Sequence, residues 1–365
     1  MRIRGFHRAQ AAVLSMLTVT ATALLAAGGS TMAQAATTTT TASCCTVTIN
    51  GPAVTMKITT PGRTAKRTFH GSVGQRVAEV LTNPVTNDNG CSTLTLTGPG
   101  MTPVSQENCG NGNPVGIDPI DLTVTGTYTV TLRLDTAATG HGTLWVSAPK
   151  TVGTTSVNGP PVSMNVGRVG QGILRTFTGK VGQRVAVVIT NPVVSDNGCT
   201  TVTLFGPNGV QIDSQQNCGD GNPVGINPVD LTISGTYKVR VEVDTVATGT
   251  STLWVSAPIT VGTVIINGPA VPMNVKRVGQ GVQRTFHGRA GQQISAVLSN
   301  PVTSDNGCST LTLKGPGLTP ASQENCGNGN PVSLGPVTLP RTGTYTVRLE
   351  VGTTATGHGS LTVST

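Results

Sequence analysis

One alternating stretch decides the fold of this chain: G-T-Y-T-V-T-L-R-L, at residues 126–134. Its tyrosine, valine and leucines fall on one face, and threonines and an arginine fall on the other. A period of two with polar residues on one face is typical of a β-strand that packs on one side. The stretch therefore predicts a half-buried strand, and its Gly-Thr-Tyr start is similar to a tyrosine corner.

The same stretch occurs twice more, as G-T-Y-K-V-R-V-E-V at 235–243 and G-T-Y-T-V-R-L-E-V at 343–351. Each copy belongs to a longer repeat that contains R-T-F, a G-Q turn, an N-P pair, D-N-G-C and S-Q-x-N-C-G in that order. The R-T-F motifs begin at Arg67, Arg175 and Arg284, at intervals of 108 and 109 residues. A period of this length indicates tandem whole domains, whereas about 20–50 residues would indicate a solenoid.

We therefore predict an all-β chain of three tandem antiparallel β-sandwich or jelly-roll modules, each with one local disulfide. The modules are expected at residues 46–149, 154–258 and 263–365. The connectors Ser147–Asn158 and Ser256–Asn267 contain proline and β-prone residues rather than Gly/Ser coil. We expect limited hinge freedom there, with neighbouring modules touching only at their ends.

The N-terminus predicts export. Residues 1–35 read as a signal peptide, with three arginines, an apolar stretch and an Ala-Gln-Ala cleavage site at 33–35. A Thr-rich linker follows at 36–45, and membrane contact is expected only through an uncleaved leader. Removing the leader lowers the formal net charge from +8 to +5.

Composition excludes several classes of function. Charged residues are 10% and aromatic residues 3% of the chain, and no basic block exceeds a pair, so nucleic acid is not an expected partner. The histidines of the first and third copies are replaced in the second by Thr178 and Thr250. A general base does not tolerate that replacement, so we predict no catalytic residue and no enzyme activity.

The eight cysteines indicate disulfides in an exported chain. Six of them form pairs separated by 18 or 19 positions: Cys91/Cys109, Cys199/Cys218 and Cys308/Cys326. We predict one local bridge per module, each stabilising its module by about 3 kcal/mol in the chain-entropy model. Cys44 and Cys45 remain, and adjacent cysteines seldom bridge each other, so an intermolecular disulfide through one of them is our hypothesis.

The ordered motifs resemble a known family. The pattern G-x-x-G-Q-R-V…N-P, T-L-x-G-P-G, S-Q-x-N and T-G-T-Y-x-V-R-L is similar to the bacterial pre-peptidase C-terminal (PPC) domain. The resemblance covers nearly all of each module and implies a small β-sandwich of the kind appended to secreted peptidases. Here the loops are rich in asparagine where that family usually has aspartate, and no segment is left for a peptidase domain.

Two sets of residues are candidates for binding. The cysteine loops of the first copy gather oxygen ligands that could suit Ca²⁺: Asp88, Asn89, Glu107, Asn108 and Asn111. Tight turns need the same residue types, so we favour turn chemistry and predict no cofactor, with Ca²⁺ as the alternative. Trp145 and Trp254 are expected to point away from their own cores, and the third copy carries Thr362 instead. They could stack on a sugar, but packing against the linker or the following module is the favoured interpretation.

These observations predict a secreted, non-catalytic binding or spacer array at the cell surface or in the matrix. Cell-wall or other extracellular polysaccharides and proteins are the expected partners, and repeated modest sites would gain avidity. One alternative is a lectin-like, carbohydrate-binding protein that uses Trp145 and Trp254. Another is an accessory array for a secreted hydrolase system.

Overall fold

The computed structural model describes residues 45–365, which form only β-strands, turns and loops. The predicted leader and the predicted Thr-rich linker up to and including Cys44 lie outside the described residues. No helix in the described part is long and apolar enough to cross a membrane.

Eight strands form the first module: β1 Val54–Ile58, β2 Thr64–Gly71, β3 Arg76–Thr86, β4 Cys91–Thr97, β5 Val104–Cys109, β6 Val115–Asp121, β7 Gly126–Leu134 and β8 Gly140–Ser147. Nine form the second: β9 Lys150–Thr154, β10 Val162–Val166, β11 Ile173–Gly179, β12 Arg184–Val194, β13 Cys199–Phe205, β14 Gln211–Cys218, β15 Val224–Asp230, β16 Gly235–Val243 and β17 Gly249–Ser256. Nine form the third: β18 Ile259–Thr263, β19 Val271–Val275, β20 Val282–Gly288, β21 Gln293–Thr303, β22 Cys308–Gly315, β23 Leu318–Cys326, β24 Val332–Thr338, β25 Gly343–Val351 and β26 Gly357–Ser364.

Each module is a jelly roll of two packed sheets. In the first module the strand orders are β1-β8-β3-β6 and β2-β7-β4-β5, and every neighbouring pair is antiparallel. This interleaved order distinguishes the double-sheet jelly roll from an up-and-down sandwich. The other two modules repeat the order and confirm the predicted all-β fold. We call the sheet that contains β3, β12 or β21 the junction sheet, and the other one the tyrosine sheet.

The connectors form strands of their own. Lys150–Thr154 and Ile259–Thr263 pair in parallel with β11 and β20, at the edge of the next module's tyrosine sheet. In the first module this edge is occupied by Cys45 and Thr46: Thr46 forms a parallel bridge to Thr68, whose N–H donates to the Cys45 carbonyl at 2.8 Å. Backbone pairing therefore ties each connector to the module that follows it.

Alternating strands put the predicted residues in the core. Tyr128 is almost fully buried and stacks on Phe69 with ring centroids 5.5 Å apart. Its hydroxyl donates to the Val124 carbonyl at 2.6 Å, so the entry to β7 has the hydrogen bond of a tyrosine corner. Tyr237 and Tyr345 make the same contacts in the other modules.

One core position breaks the pattern. Glu79 lies on β3 between the core residues Val77 and Leu81 and is 0% exposed. Among the described residues neither of its carboxyl oxygens has a hydrogen-bond partner, and burial raises its pKa to about 8. Val187 and Ala296 occupy the same position in the other modules. The first core therefore contains a carboxyl group that stays protonated at neutral pH.

Candidate functional site

The first junction is built around Arg168, in the turn between β10 and β11. Its Nε donates to the Ser147 hydroxyl at 2.9 Å, and its Nη1 and Nη2 donate to the carbonyls of Gly51 and Val146 at 2.7 and 3.1 Å. Ser147 in turn donates to the Val169 carbonyl at 2.8 Å and is 0% exposed. One guanidinium thus crosslinks the second module to two segments of the first.

Trp145 completes this contact. Its ring is partly buried, its Nε1 donates to the Thr82 hydroxyl at 3.0 Å, and the Arg168 guanidinium carbon lies 4.7 Å from the ring centroid. A guanidinium over an indole face contributes about 0.5–2 kcal/mol, more where water is excluded. Arginine therefore covers a face of the ring that a sugar would need for stacking.

The second junction repeats the first with the same geometry. Arg277 donates to Ser256, Gly159 and Val255 at 2.9, 2.6 and 3.3 Å, and its guanidinium carbon lies 4.7 Å from the Trp254 centroid. Both tryptophans thus lie at module junctions.

Ion pairs form a second contact at each junction. Arg76 Nε lies 3.1 Å from a Glu242 carboxylate oxygen, and Arg184 Nε lies 2.7 Å from one of Glu350. The two glutamate side chains are 14% and 13% exposed. Pairs shielded to this degree are less screened than surface pairs, and removing one partner leaves a charge with little water around it.

Close backbone approach is the third contact. A Cβ at Gly116 would lie 2.9 Å from Val246, and one at Gly225 would lie 2.8 Å from Thr353. Beside these glycines, the hydroxyls of Thr245 and Thr353 hydrogen-bond to Asp118 and Asn227 of the preceding module.

These contacts correct the expectation that neighbouring modules touch only at their ends. Gly170 packs over Ala78 and Val80, on the outer face of the first junction sheet, and both of those residues are 0% exposed. The end of one module therefore docks on a sheet face of its predecessor. This face is suitable because small side chains let the next module's turn approach closely.

Sequence reasoning identified the tryptophans but missed their partners. A usable signal was the motif R-V-G-Q-G, present at 168–172 and 277–281 and replaced by T-P-G-R-T at 60–64. The motif is present in the two modules that follow another described module.

The three predicted disulfides form, with Cα–Cα distances of 3.8–3.9 Å. Each joins directly opposed residues of neighbouring strands, β4–β5, β13–β14 and β22–β23. The bridges therefore fasten the outer strand of each tyrosine sheet.

The candidate Ca²⁺ ligands of the first module are occupied in turn contacts. Asp88 accepts a hydrogen bond from the Gly90 N–H at 3.0 Å, and that amide together with the Thr86 hydroxyl lowers the pKa of Asp88. Asn111 accepts from the Thr86 N–H at 2.6 Å, and Asn89 accepts from the Asn111 N–H at 2.7 Å.

The remaining two candidates also face local partners. Glu107 accepts from the Thr93 hydroxyl at 2.7 Å, and Asn108 accepts from the Cys109 N–H and donates to the Pro114 carbonyl, both at 2.9 Å. In the second module Asp220 accepts from the Val194 N–H, as Asn111 does from Thr86 in the first. Glu107 lies close to the sulfurs of Cys91 and Cys109, which are consumed by the disulfide.

Comparisons with known proteins give low-similarity structural matches. No family model matches the chain, and no curated protein matches it. The PPC domain of a collagenase from Bacillus anthracis is 15% identical over 29% of this chain and 95% of its own, with a TM-score of 0.25. The human MASP-1/3 CUB1-EGF-CUB2 structure is 8% identical over 56% of this chain and 98% of its own, with a TM-score of 0.18. Membership of a family is not shown at these scores.

Proposed function

We propose that this chain is a secreted, non-catalytic array of three PPC-like jelly rolls that holds binding surfaces at fixed spacing outside the cell. The observation that carries the proposal is the repeated junction, in which an arginine, a tryptophan and a buried serine meet in the same geometry twice. A flexible tether would need none of these contacts, because a Gly/Ser linker joins modules without burying side chains. Secretion is supported by the three disulfides, which persist in oxidising compartments.

A fixed array changes how weak sites act. Sites held at constant separation bind a repetitive surface with a high effective concentration, provided that their spacing matches that surface. The partners that we propose are polysaccharides or proteins of the cell wall or matrix.

Small-angle X-ray scattering of residues 36–365 tests the fixed geometry. We expect one conformation to fit the wild-type profile, and the double variant Arg168→Thr/Arg277→Thr to require an ensemble of orientations. The matched control is Thr60→Arg, which places the arginine on the exposed turn of the first module and should leave the profile unchanged. A wild-type profile that already requires an ensemble would overturn the proposal.

The part of the proposal that concerns binding to a cell-wall or matrix partner needs a separate experiment. The same protein is incubated with insoluble polysaccharides, purified cell wall and collagen, beside a Trp145→Ala/Trp254→Ala variant. Retention by one matrix that persists in the variant would support a binding array whose contact surface lies elsewhere. Retention lost in a variant with unchanged scattering would instead identify a lectin-like protein that uses the tryptophans.

A further inference from the structure

A groove of about 730 Å³ lies along the first junction. One wall is the Gly74–Arg76 turn with Asp121 of the first module, and the other is the outer face of the second tyrosine sheet, including Phe205 and Lys238. Small-molecule sites typically occupy about 300–1,000 Å³, so the groove is large enough for a short oligomer. Two modules build it, and its shape therefore depends on the junction.

Phe205 gives this groove an aromatic side chain. The other described phenylalanine and tyrosine rings are buried in the three cores, whereas Phe205 is partly exposed on the outer face of β13. Thr97 and Lys314 occupy the same strand position in the other modules. The Arg240 guanidinium carbon lies 4.8 Å from the Phe205 centroid, so arginine covers one face of the ring and a ligand in the groove could contact only the part that arginine leaves accessible.

The groove also has a surplus positive charge. Its acidic residues, Asp121 and Glu242, both pair with Arg76 at 3.1 Å, and Glu242 also lies 3.0 Å from Arg240. Lys238 is opposite Phe205 in the β13–β16 register, is exposed, and makes no ion pair within the described residues. Threonines stand at this position in the other modules, Thr129 and Thr346.

Hydroxyl and amide groups line the floor. The exposed Gln211 and the partly exposed Ser214 lie on β14, and the Ser214 hydroxyl is 3.0 Å from that of Thr203, which is itself buried. Such groups can both donate and accept hydrogen bonds, which suits a ligand that carries many hydroxyl groups.

We propose that this groove binds an acidic saccharide, with a sugar ring against Phe205 and a carboxylate at Lys238. A sugar ring offers apolar C–H groups to an aromatic side chain and hydroxyls to the polar floor. A carboxylate forms a strong, charge-assisted hydrogen bond with an ammonium group. The inference goes beyond the array function, which assigns no ligand to either junction.

Isothermal titration calorimetry tests the proposal on residues 36–365. The probes are hexasaccharides of galacturonate, guluronate and hyaluronan, each beside its methyl-ester form, which keeps the sugar chain and removes the negative charge. We expect at least one acid to bind, and its ester to bind at least about tenfold more weakly. No binding of any acid, or equal binding of acid and ester, would overturn the proposal.

Two variants place the site. Phe205→Thr and Lys238→Thr introduce residues found at these positions in other modules, and each should weaken binding at least about tenfold. Lys314→Thr, at the position of Phe205 in the third module, is the matched control and should change affinity less than about twofold. Unchanged affinity in Phe205→Thr would also overturn the proposal. Scattering reports separately on the fixed array, so either proposal can fail without the other.

Discussion

The third module differs from the first two on one face. In the first two modules the junction sheet is covered on both sides, and Val80 and Val188 are 0% exposed on its outer face. In the third module Val297, at the same position, is partly exposed, and β21 alternates between buried and accessible residues. Glu79 apart, the inner faces of the three junction sheets are mainly apolar, so the modules share most of a core design and differ chiefly where a neighbour docks.

Residues at matching positions of the modules differ on this outer face. On the outer face of the third module polar or small residues replace the junction residues: Gln293 for Arg76 and Arg184, Ser295 for Ala78 and Ala186, Ser333 for Gly116 and Gly225, and Thr362 for Trp145 and Trp254. A sheet face that no neighbouring module covers commonly carries polar residues, because an uncovered apolar face promotes association.

The first module shows the reverse difference at its opposite end. It has Thr60 where the others have Arg168 and Arg277, and Arg133 where they have Glu242 and Glu350. Both Thr60 and Arg133 are exposed. Junction residues are thus present on the faces that contact a neighbouring module and are replaced on the faces that do not. We infer that these contacts specify how the modules dock.

The largest expected effect on stability comes from a substitution in the core. Glu79 tests whether the modules differ only on their docking faces, because it distinguishes the core of the first module from the other two. Glu79→Val, the residue of the second module, should stabilise the first module by on the order of 3–5 kcal/mol above pH 8 and by much less near pH 4.5. Below pH 4.5 the carboxyl is protonated in both the folded and the unfolded chain. As pH rises towards 8 the unfolded chain ionises while the folded core holds the proton, so stability falls.

Differential scanning calorimetry between pH 5 and 9 checks this prediction. The wild-type transition in which the first module unfolds, alone or together with its neighbours, should move to lower temperature as pH rises, and that of the variant should move much less. Glu107→Gln is the control because Glu107 is exposed, and it should keep the wild-type pH dependence. If the transition temperatures of wild type and Glu79→Val depended on pH in the same way, the conclusion that burial raises the pKa of Glu79 would be wrong.

The next largest effect is expected from a substitution that removes the arginine of one junction. Arg168→Thr introduces the residue of the first module and removes three hydrogen bonds and the contact with Trp145, so docking of the second module on the first should weaken by about 2–4 kcal/mol. Calorimetry should show the transitions of these modules separating. Coincident transitions in the variant would mean that the ion pair and the close packing suffice.

A smaller effect on docking is expected where the second module packs closely against a glycine of the first. Gly116→Ser introduces the third module's residue, and its Cβ would lie 2.9 Å from Val246, so docking should weaken by roughly 1–2 kcal/mol. The reciprocal change, Ser333→Gly, lies on an exposed position and should alter stability by less than about 0.5 kcal/mol. Equal effects of the two changes in thermal denaturation would refute the difference between joined and unjoined faces.

The smallest effect restores a tryptophan without a partner. Thr362→Trp gives the third module the side chain of the other two, but no arginine lies over that position in the described chain. We expect a stability change within about 0.5 kcal/mol in thermal denaturation. An increase comparable to the loss in Arg168→Thr would mean that tryptophan stabilises its own sheet and that the arginine contact matters little.

Most of the fold could be predicted from the sequence because its signals are local. Strict alternation around Tyr128 places side chains on two faces, and the spacing of Cys91 and Cys109 suits a bridge across one hairpin. The site was harder to predict because its contacts are distant. Arg168 donates a hydrogen bond to the carbonyl of Gly51, which lies 117 positions earlier in the chain. No local sequence pattern near either residue predicts this contact.

The sequence alone determined three β-modules, their disulfides and their half-buried strands, because periodicity and short loops constrain neighbouring residues directly. Tertiary structure decided which sheet face receives the next module, that the arginines cover the tryptophans, and that Glu79 is buried with no hydrogen-bond partner among the described residues. These outcomes depend on packing between segments far apart in the chain, where several faces compete and shape and desolvation select one.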